Sequence, residues 1–409
     1  MSLTPTLDPS ELGFAPDRLA RIDAHFQRYI EAEHLPGWQI AIARGGHLVH
    51  SSTAGFRDVD ARLPWTDDTC VRIYSMTKPI TSVAAMMLYE EGAFELKDPV
   101  AKFIPAFADA RVYRGGPAAA PVTEPVTERM LMWHLLTHMS GLTYGWHRRH
   151  VTDELYRKAG FEWGAPKGLT LTDCCERWAR LPLVFQPGTE WNYGVSTDVL
   201  GRVIEAISGV PLDRFLDERV VAPLKMVDTC FYVRDDMIDR AARLYGPHPE
   251  TGKIVINPLE TTPRELPTFV SGGGGMWGTA ADYLRFCHML LNRGELDGVR
   301  LLGSRTVDYM TCNHLPGGTD LETIARPMSA ETMNDGIGFG LGFSVVVDPV
   351  HNRVLSSTGE YAWGGAASTV FWCDPKEDIA VVFLTQLLPT GTLPIRTQLK
   401  RLVYQALVD

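Results

Sequence analysis

Long apolar runs are missing from this 409-residue chain. No window approaches the roughly 20 apolar residues that a membrane-spanning helix needs, so no membrane partner is expected. Met1 to Arg18 lacks a basic start followed by an apolar stretch, and no signal peptide is read there. Basic residues are in deficit. Lys and Arg number 39 against 49 Asp and Glu, a formal net charge of -10, which argues against a nucleic-acid partner. The seven cysteines form no Cys-x-x-Cys pair, and an odd, scattered set fits a reducing compartment, so the expected location is cytoplasmic. Two signatures are absent as well. No Gly-x-Ser-x-Gly occurs, which weakens a Ser-His-Asp hydrolase. The run Gly272 to Gly275 is not followed by Gly-Lys-Ser/Thr, so it is no P-loop.

What is present is ordinary globular material, 45% hydrophobic and 22% charged. The length suits two or three units, or one large domain with an insertion. One stretch stands out, Tyr74-Ser75-Met76-Thr77-Lys78. Residues three apart on a helix share a face, so a hydroxyl and an amine can meet there without another segment. No other serine in the chain has lysine three positions on. Ile80, Val83, Ala84, Met87 and Leu88 continue the stretch with helical period, and Gly92 marks its stop. Pro79 belongs in a first turn, which places the helix start near Ser75. Proline also disfavours helical geometry at Lys78, and the two expectations pull against each other. The helix dipole and burial both disfavour a charge on Lys78. A neutral lysine could take the Ser75 proton, with activity falling below neutral pH. Alone, Ser-x-x-Lys is a weak pattern, compatible with a serine cap and a solvated lysine.

The rest of the chain falls into three parts. Residues 16 to 33 read as a helix. Residues 38–43 and 47–50 flank Arg44-Gly45-Gly46 as a β-hairpin, and a short strand near 69–73 leads to Ser75. From about 96 to 250 strand signals thin out. Helical stretches appear around 127–136, 171–180, 197–208 and 211–219, between Pro- and Gly-rich segments. After that, a helix from Ala280 to Leu291 with Thr279 as N-cap, strands at 342–347, 367–372 and 379–384, and a helix at 395–407 close the chain. The expected organisation is an α/β domain from residues 1–95 and 251–409, and a mainly helical domain from 96–250.

Two further constellations could complete a serine–lysine site. Pro187-Gly188-Thr189-Glu190-Trp191-Asn192-Tyr193-Gly194 puts a tyrosine on a turn before a helix capped near Ser196 or Thr197. A phenol both donates and accepts, as proton transfer to a leaving group requires. Trp363-Gly364-Gly365-Ala366 enters the 367–372 strand, and paired glycines let backbone approach a ligand. A backbone N–H there could join that of Ser75 as an oxyanion hole. Each has a plainer reading, a half-buried core tyrosine and a glycine bulge with a packing tryptophan.

These three motifs, in this order, resemble those of the serine β-lactamase and penicillin-binding-protein superfamily. The likeness is greatest to family VIII carboxylesterases and their acyltransferase relatives, which are related to class C β-lactamases. His134-Leu135-Leu136-Thr137-His138-Met139-Ser140-Gly141-Leu142 is similar to a stretch common in that superfamily. The likeness runs from about residue 16 to 390. It implies a β-lactamase-like α/β (α+β) fold, with a central antiparallel sheet flanked by helices and a helical domain beside it. It implies Ser75 as nucleophile, Lys78 as general base and Tyr193 as acid/base partner. The oxyanion donors would be the N–H groups of Ser75 and Ala366. Trp363, Gly364 and Gly365 would contact substrate.

Two departures refine the expectation. Tyr193-Gly194-Val195 lacks the amide usual in the second motif, and Trp363 replaces the cation usual in the third. A cation there would hold a carboxylate, and an aromatic ring favours neutral, apolar groups instead. The expected activity is a serine carboxylesterase on neutral small or short-chain esters, with no cofactor and no metal. An acyltransferase using an alcohol, or a weak β-lactamase, would use the same residues. His138 is expected to be structural. His147 and His150 could offer imidazoles to a metal but lack a carboxylate or cysteine partner at ligand spacing. The ester substrate's identity and the oligomeric state are not legible.

Overall fold

A computed structural model describes residues 3–326 and 334–408. Its centre is an eight-stranded antiparallel sheet. Strands β1 (Gly37–Arg44), β2 (His47–Asp58) and β3 (Leu63–Pro64) come from the N-terminal part. Strands β4 (Ile337–Phe339), β5 (Ser344–Val346), β6 (Tyr361–Gly364), β7 (Val370–Asp374) and β8 (Ile379–Thr385) come from the C-terminal part. The spatial order is β4-β5-β6-β7-β8-β1-β2-β3. The two ends of the chain meet where β1 pairs with β8, Trp38 opposite Thr385 and Arg44 opposite Ile379.

Both faces of this central pair are covered, so its strands read as unbroken apolar runs. Side chains alternate sides along a strand. Ile40, Ile42, Val381 and Phe383 pack under helices α1 (Pro16–Glu31) and α5 (Ile395–Tyr404). Ala41, Ala43, Val382 and Leu384 face the other way, into the core that holds α2 (Thr77–Glu90) and α4 (Ala280–Leu291). Thr279 caps α4 as its position suggests, its side chain accepting from Asp282 N–H.

Helix α2 is more deeply placed than its apolar stripe implies. Every residue from Thr77 to Leu88 is buried. The helix lies between the sheet and the segment carrying α3 (Ser196–Ser208), so it has no solvent face. Segment 96–250 gives no strand to the large sheet among the described residues. It carries α3 and the helices Met132–Leu136, Val151–Lys158 and Leu171–Ala179.

Several boundaries differ from expectation. Residues 127–136 are helical only at Met132–Leu136, and 211–219 bends after Leu216 into a wider turn, Asp217–Val221. Three strands of this sheet were not foreseen, β3, β4 and β6. Trp363 and Gly364 close β6 instead of leading into the next strand, which begins only at Val370. A turn whose Ser368 has φ +65° intervenes. Short strands rich in Gly and Ala carry little period-2 signal, so their pairing is decided by neighbours.

Candidate active site

The opposing expectations at Lys78 resolve in the backbone. Tyr74–Met76 form a single 3₁₀ turn and α2 begins at Thr77, so Pro79 is the third helical residue. Its missing N–H falls within the first turn, where no intrahelical partner exists. Tyr74 takes φ +43°, a left-handed conformation that a bulky residue adopts only when its surroundings impose it. A short ladder imposes it here. Val71 and Arg72 pair with Gly278 and Trp277, and Ile73 N–H donates to Met276 O at 3.1 Å. The chain must then turn sharply into the helix, which sets Ser75 at the corner.

The same ladder brings the glycine run to Lys78. Thr81 Oγ1 donates to Gly272 O at 2.8 Å, and Thr77 Oγ1 accepts from Met276 N–H at 3.2 Å. Lys78 is 2% exposed. Its Nζ lies 3.2 Å from Ser75 Oγ and 2.5 Å from Gly273 O. The run Gly272 to Gly275 therefore positions a carbonyl. Gly273 packs against Asp198, and a Cβ there would sit 2.6 Å from Asp198 Oδ2.

Tyr193 reaches the same place from the second constellation. Its ring centroid is 4.5 Å from Lys78 Nζ, and it lines a cavity of about 560 Å³ together with Ser75. The loop is held by its backbone. Gly188 N–H donates to Met139 O, Asn192 N–H donates to His138 O, and Asn192 Nδ2 donates to Leu142 O. Gly194 passes so close to Leu142 that a Cβ would lie 2.5 Å from its carbonyl oxygen, so only glycine fits. The expected side-chain cap at Ser196 or Thr197 is absent. Val195 precedes α3 without a side-chain cap bond, and Ser196 Oγ pairs with Ser140 Oγ at 2.8 Å instead.

The third constellation splits in two. Ala366 lines the cavity with Ser75. Trp363 is buried, its ring 5.4 Å from the Tyr193 ring and edge-on to Phe339. Gly364 leaves no space for a Cβ beside Arg396, and a Cβ at Gly365 would come within 2.5 Å of Ile73 O. Gly365 N–H donates to Thr369 O at 2.9 Å. The paired glycines thus dock the turn onto the backbone two residues before Ser75. That contact sets Ala366 beside the serine.

The histidines flagged by the sequence all have other partners. His138 takes φ +57° and packs its ring 4.9 Å from that of Tyr193. Burial, aided by the Lys78 charge, holds its proton affinity well below the usual imidazole range. His147 Nε2–H donates to Tyr193 O at 2.8 Å, and burial lowers its proton affinity too. His150 Nδ1 accepts from Thr152 N–H and caps Val151–Lys158.

Asp198 was not singled out by the sequence. Its Oδ1 accepts from Ser271 Oγ at 2.6 Å and from Gly273 N–H at 3.0 Å. Burial raises its proton affinity while the Lys78 charge opposes that. Two atoms of Gly273 thus link the carboxylate of Asp198 to the amine of Lys78. The only signal in the sequence was position, on the first turn after the Tyr193 loop, where an acidic residue commonly faces a helix N-terminus.

The model of the Beta-lactamase family matches residues 22–405. The chain belongs to this family. Esterase EstB of Burkholderia gladioli is 30% identical over 98% of both chains. Protein Rv1367c of Mycobacterium tuberculosis (strain ATCC 25618 / H37Rv) is 36% identical over 90% of this chain and 89% of its own. Among solved structures, EstCE1, described as a hydrolase with promiscuous acyltransferase activity, aligns with TM-score 0.79 and 26% identity, over 95% of this chain and 99% of its own. Membership makes the protein a β-lactamase-like enzyme of the serine-hydrolase type, and its relatives place its chemistry in ester hydrolysis or acyl transfer. No helix among the described residues is long and apolar enough to cross a membrane.

Proposed function

We propose that this Beta-lactamase-family enzyme is a carboxylesterase acting on neutral small esters through an acyl-enzyme on Ser75. The observation that carries the reading is Lys78 Nζ, buried, 3.2 Å from Ser75 Oγ and against the Tyr193 ring. Lys78 and Tyr193 take the Ser75 proton as Oγ bonds to the ester carbonyl carbon. The oxygen left with negative charge accepts from the Ser75 and Ala366 N–H groups. Collapse breaks the bond to the alcohol oxygen, which receives the proton from Tyr193. Water then attacks the acyl-enzyme, giving its proton to the same pair, and the acid leaves as Ser75 recovers its proton.

Neutral substrates are favoured because, among the described residues, the wall of the cavity holds two carboxylates, Glu162 and Asp198, and no Arg or His side chain, while Lys78 lies buried behind Ser75. A carboxylate-bearing β-lactam finds no clamp there. The seven cysteines are all free, which fits a reducing compartment. Acyl transfer to an alcohol is the second reading, supported by the activity stated for EstCE1.

The test is hydrolysis of p-nitrophenyl acetate, with labelling by a fluorophosphonate. The native enzyme turns over and is labelled. Ser75→Ala abolishes labelling and lowers kcat by about 10⁴-fold or more, and Tyr193→Phe lowers it by about 10² to 10⁴-fold. Undiminished turnover in Ser75→Ala ends the proposal. Adding a competing alcohol and measuring the new ester against free acid separates hydrolysis from transfer.

A further inference from the structure

One side of the cavity is a row of flat rings. Tyr144 stacks on Trp146 with centroids 5.3 Å apart and planes 20° apart. Trp146 stacks on Trp163 at 5.7 Å and 8°. At its inner end, Tyr144 meets Tyr193 edge-on at 5.4 Å, and its own ring lies 5.5 Å from Lys78 Nζ. At its outer end Trp163 is 50% exposed. The row therefore runs from solvent to the reactive groups, with the His147 ring packed against Trp146 at 4.2 Å.

Two turns fix it. Trp146 belongs to the turn Gly145–His147, and Arg157 Nη1 donates to Gly145 O at 2.5 Å. The loop that carries Trp163 lies directly on this turn, since a Cβ at Gly145 would overlap Phe161 O. Arg148, just after the first tryptophan's turn, pairs with Glu162, just before the second. An exposed pair adds little stability, but it sets which ring of one loop faces which ring of the other.

A half-exposed tryptophan at a cavity mouth, held parallel to a second one, offers a face to another flat ring. Offset stacking adds about 0.5 to 1.5 kcal/mol beyond area burial, so a flat ring should outbind a puckered ring of the same carbon count by about threefold to tenfold. An alkyl chain gains area but not this term. Among the described residues the cavity lining carries the carboxylates of Glu162 and Asp198, and Arg148 is paired to Glu162, which disfavours an anionic substituent.

We infer that the substrate carries an uncharged aromatic or fused-ring group, which stacks on the Trp146–Trp163 pair while the ester reaches Ser75. This rests on the esterase reading above and names its substrate class.

Two matched ester pairs test it. Methyl 3-phenylpropanoate and methyl 3-cyclohexylpropanoate place the ring on the acyl side. The acetates of 2-phenylethanol and 2-cyclohexylethanol place it on the alcohol side. The carbonyl is equally reactive within each pair. In the native enzyme the aryl member of one pair is expected to show a kcat/KM about threefold to tenfold higher. Trp163→Leu brings that ratio to about one through KM, and Trp163→Phe retains part of it. Each ratio is read within one variant, so a loss common to both esters cancels. A ratio near one in both pairs for the native enzyme overturns the inference, as does a ratio that survives both Trp163→Leu and Trp146→Leu. If no ester is turned over, the esterase reading fails. Titration of Ser75→Ala with 2-phenylethanol and 2-cyclohexylethanol, followed by tryptophan fluorescence, still decides the ring site. Quenching by the first alone supports it, and equal or absent responses overturn it.

Discussion

The cavity has two unlike walls. The sheet side runs from Tyr74 and Ser75 through Gly273–Gly275 to Ala366, and its three glycines can present only backbone to the cavity. The helical side, from Tyr144 through Trp146 to Trp163, presents rings. Backbone is fixed by ladders and by glycine contacts too tight for a Cβ, such as Gly365 on Ile73. Rings are fixed by one another and by exposed loops. The first wall tolerates almost no displacement, so it suits N–H and C=O groups that must hold a position to a few tenths of an ångström. The second can change residue by residue without unmaking the fold, so it suits selection among substrates. Relatives that share the fold can thereby keep one wall and alter the other.

The contrast can be broken in graded ways. Among substitutions that probe the two walls, the largest effect is expected from Gly365→Ala, because its Cβ would meet Ile73 O at 2.5 Å and push Ala366 away from Ser75. On the reading above this removes one oxyanion donor, and kcat for p-nitrophenyl acetate should fall about 10² to 10³-fold, with a native circular-dichroism spectrum. Retention of full kcat would show that the Ala366 side of the wall is not used.

A smaller effect is expected at the seam between the walls. Asp198→Asn keeps an oxygen for Ser271 and Gly273 N–H but removes the charge that favours a protonated Lys78. The acid limb of kcat/KM should move to lower pH by about one unit, with modest change at the plateau. An unmoved limb would leave Asp198 a merely structural carboxylate.

The smallest effect on rate, and the one that separates the walls by stability, follows from the buried histidines of the helical side. His134 Nδ1 accepts from Leu131 N–H, and burial pulls its proton affinity down from 6.5 to about 4. The unfolded segment therefore takes up the proton first on acidification. Stability is fully present above pH 6.5 and is lost as pH falls toward 4, by about 2 kcal/mol at pH 5. Amide protection factors in residues 131–147 should drop between pH 7 and 5 while those of β1 and β8 hold. A uniform drop would contradict the contrast.

Much of the sheet side was legible and much of the helical side was not. The α2 helix, the β1–β2 hairpin and the Thr279 cap have strong local signals, a 3.6 period, a Gly-Gly turn and an N-cap threonine. Strands β4 and β6 are three and four residues long and carry no alternation that distinguishes them from loop. Of the candidate site, Ser75, Lys78 and Tyr193, which the structure brings together, could be singled out because each sits in a patterned stretch. Asp198, Gly273 O and the ring row could not. Asp198 looks like any acidic residue in a first turn, a carbonyl has no letter, and stacking of Trp146 on Trp163 depends on two loops meeting.

The sequence by itself determined the local device, a serine three positions before a lysine at the start of a helix whose first turn holds a proline and whose end is followed by a glycine, because spacing along helical turns fixes which side chains share a face. It also determined the apolar strands that must be covered on both sides. Only the tertiary structure decided that the phenol of Tyr193 lies over Lys78, that a glycine carbonyl receives the amine, and that two tryptophans from separate turns stand parallel. Those arrangements join segments tens to hundreds of residues apart, and what selects among the possible pairings is the summed packing of the whole core.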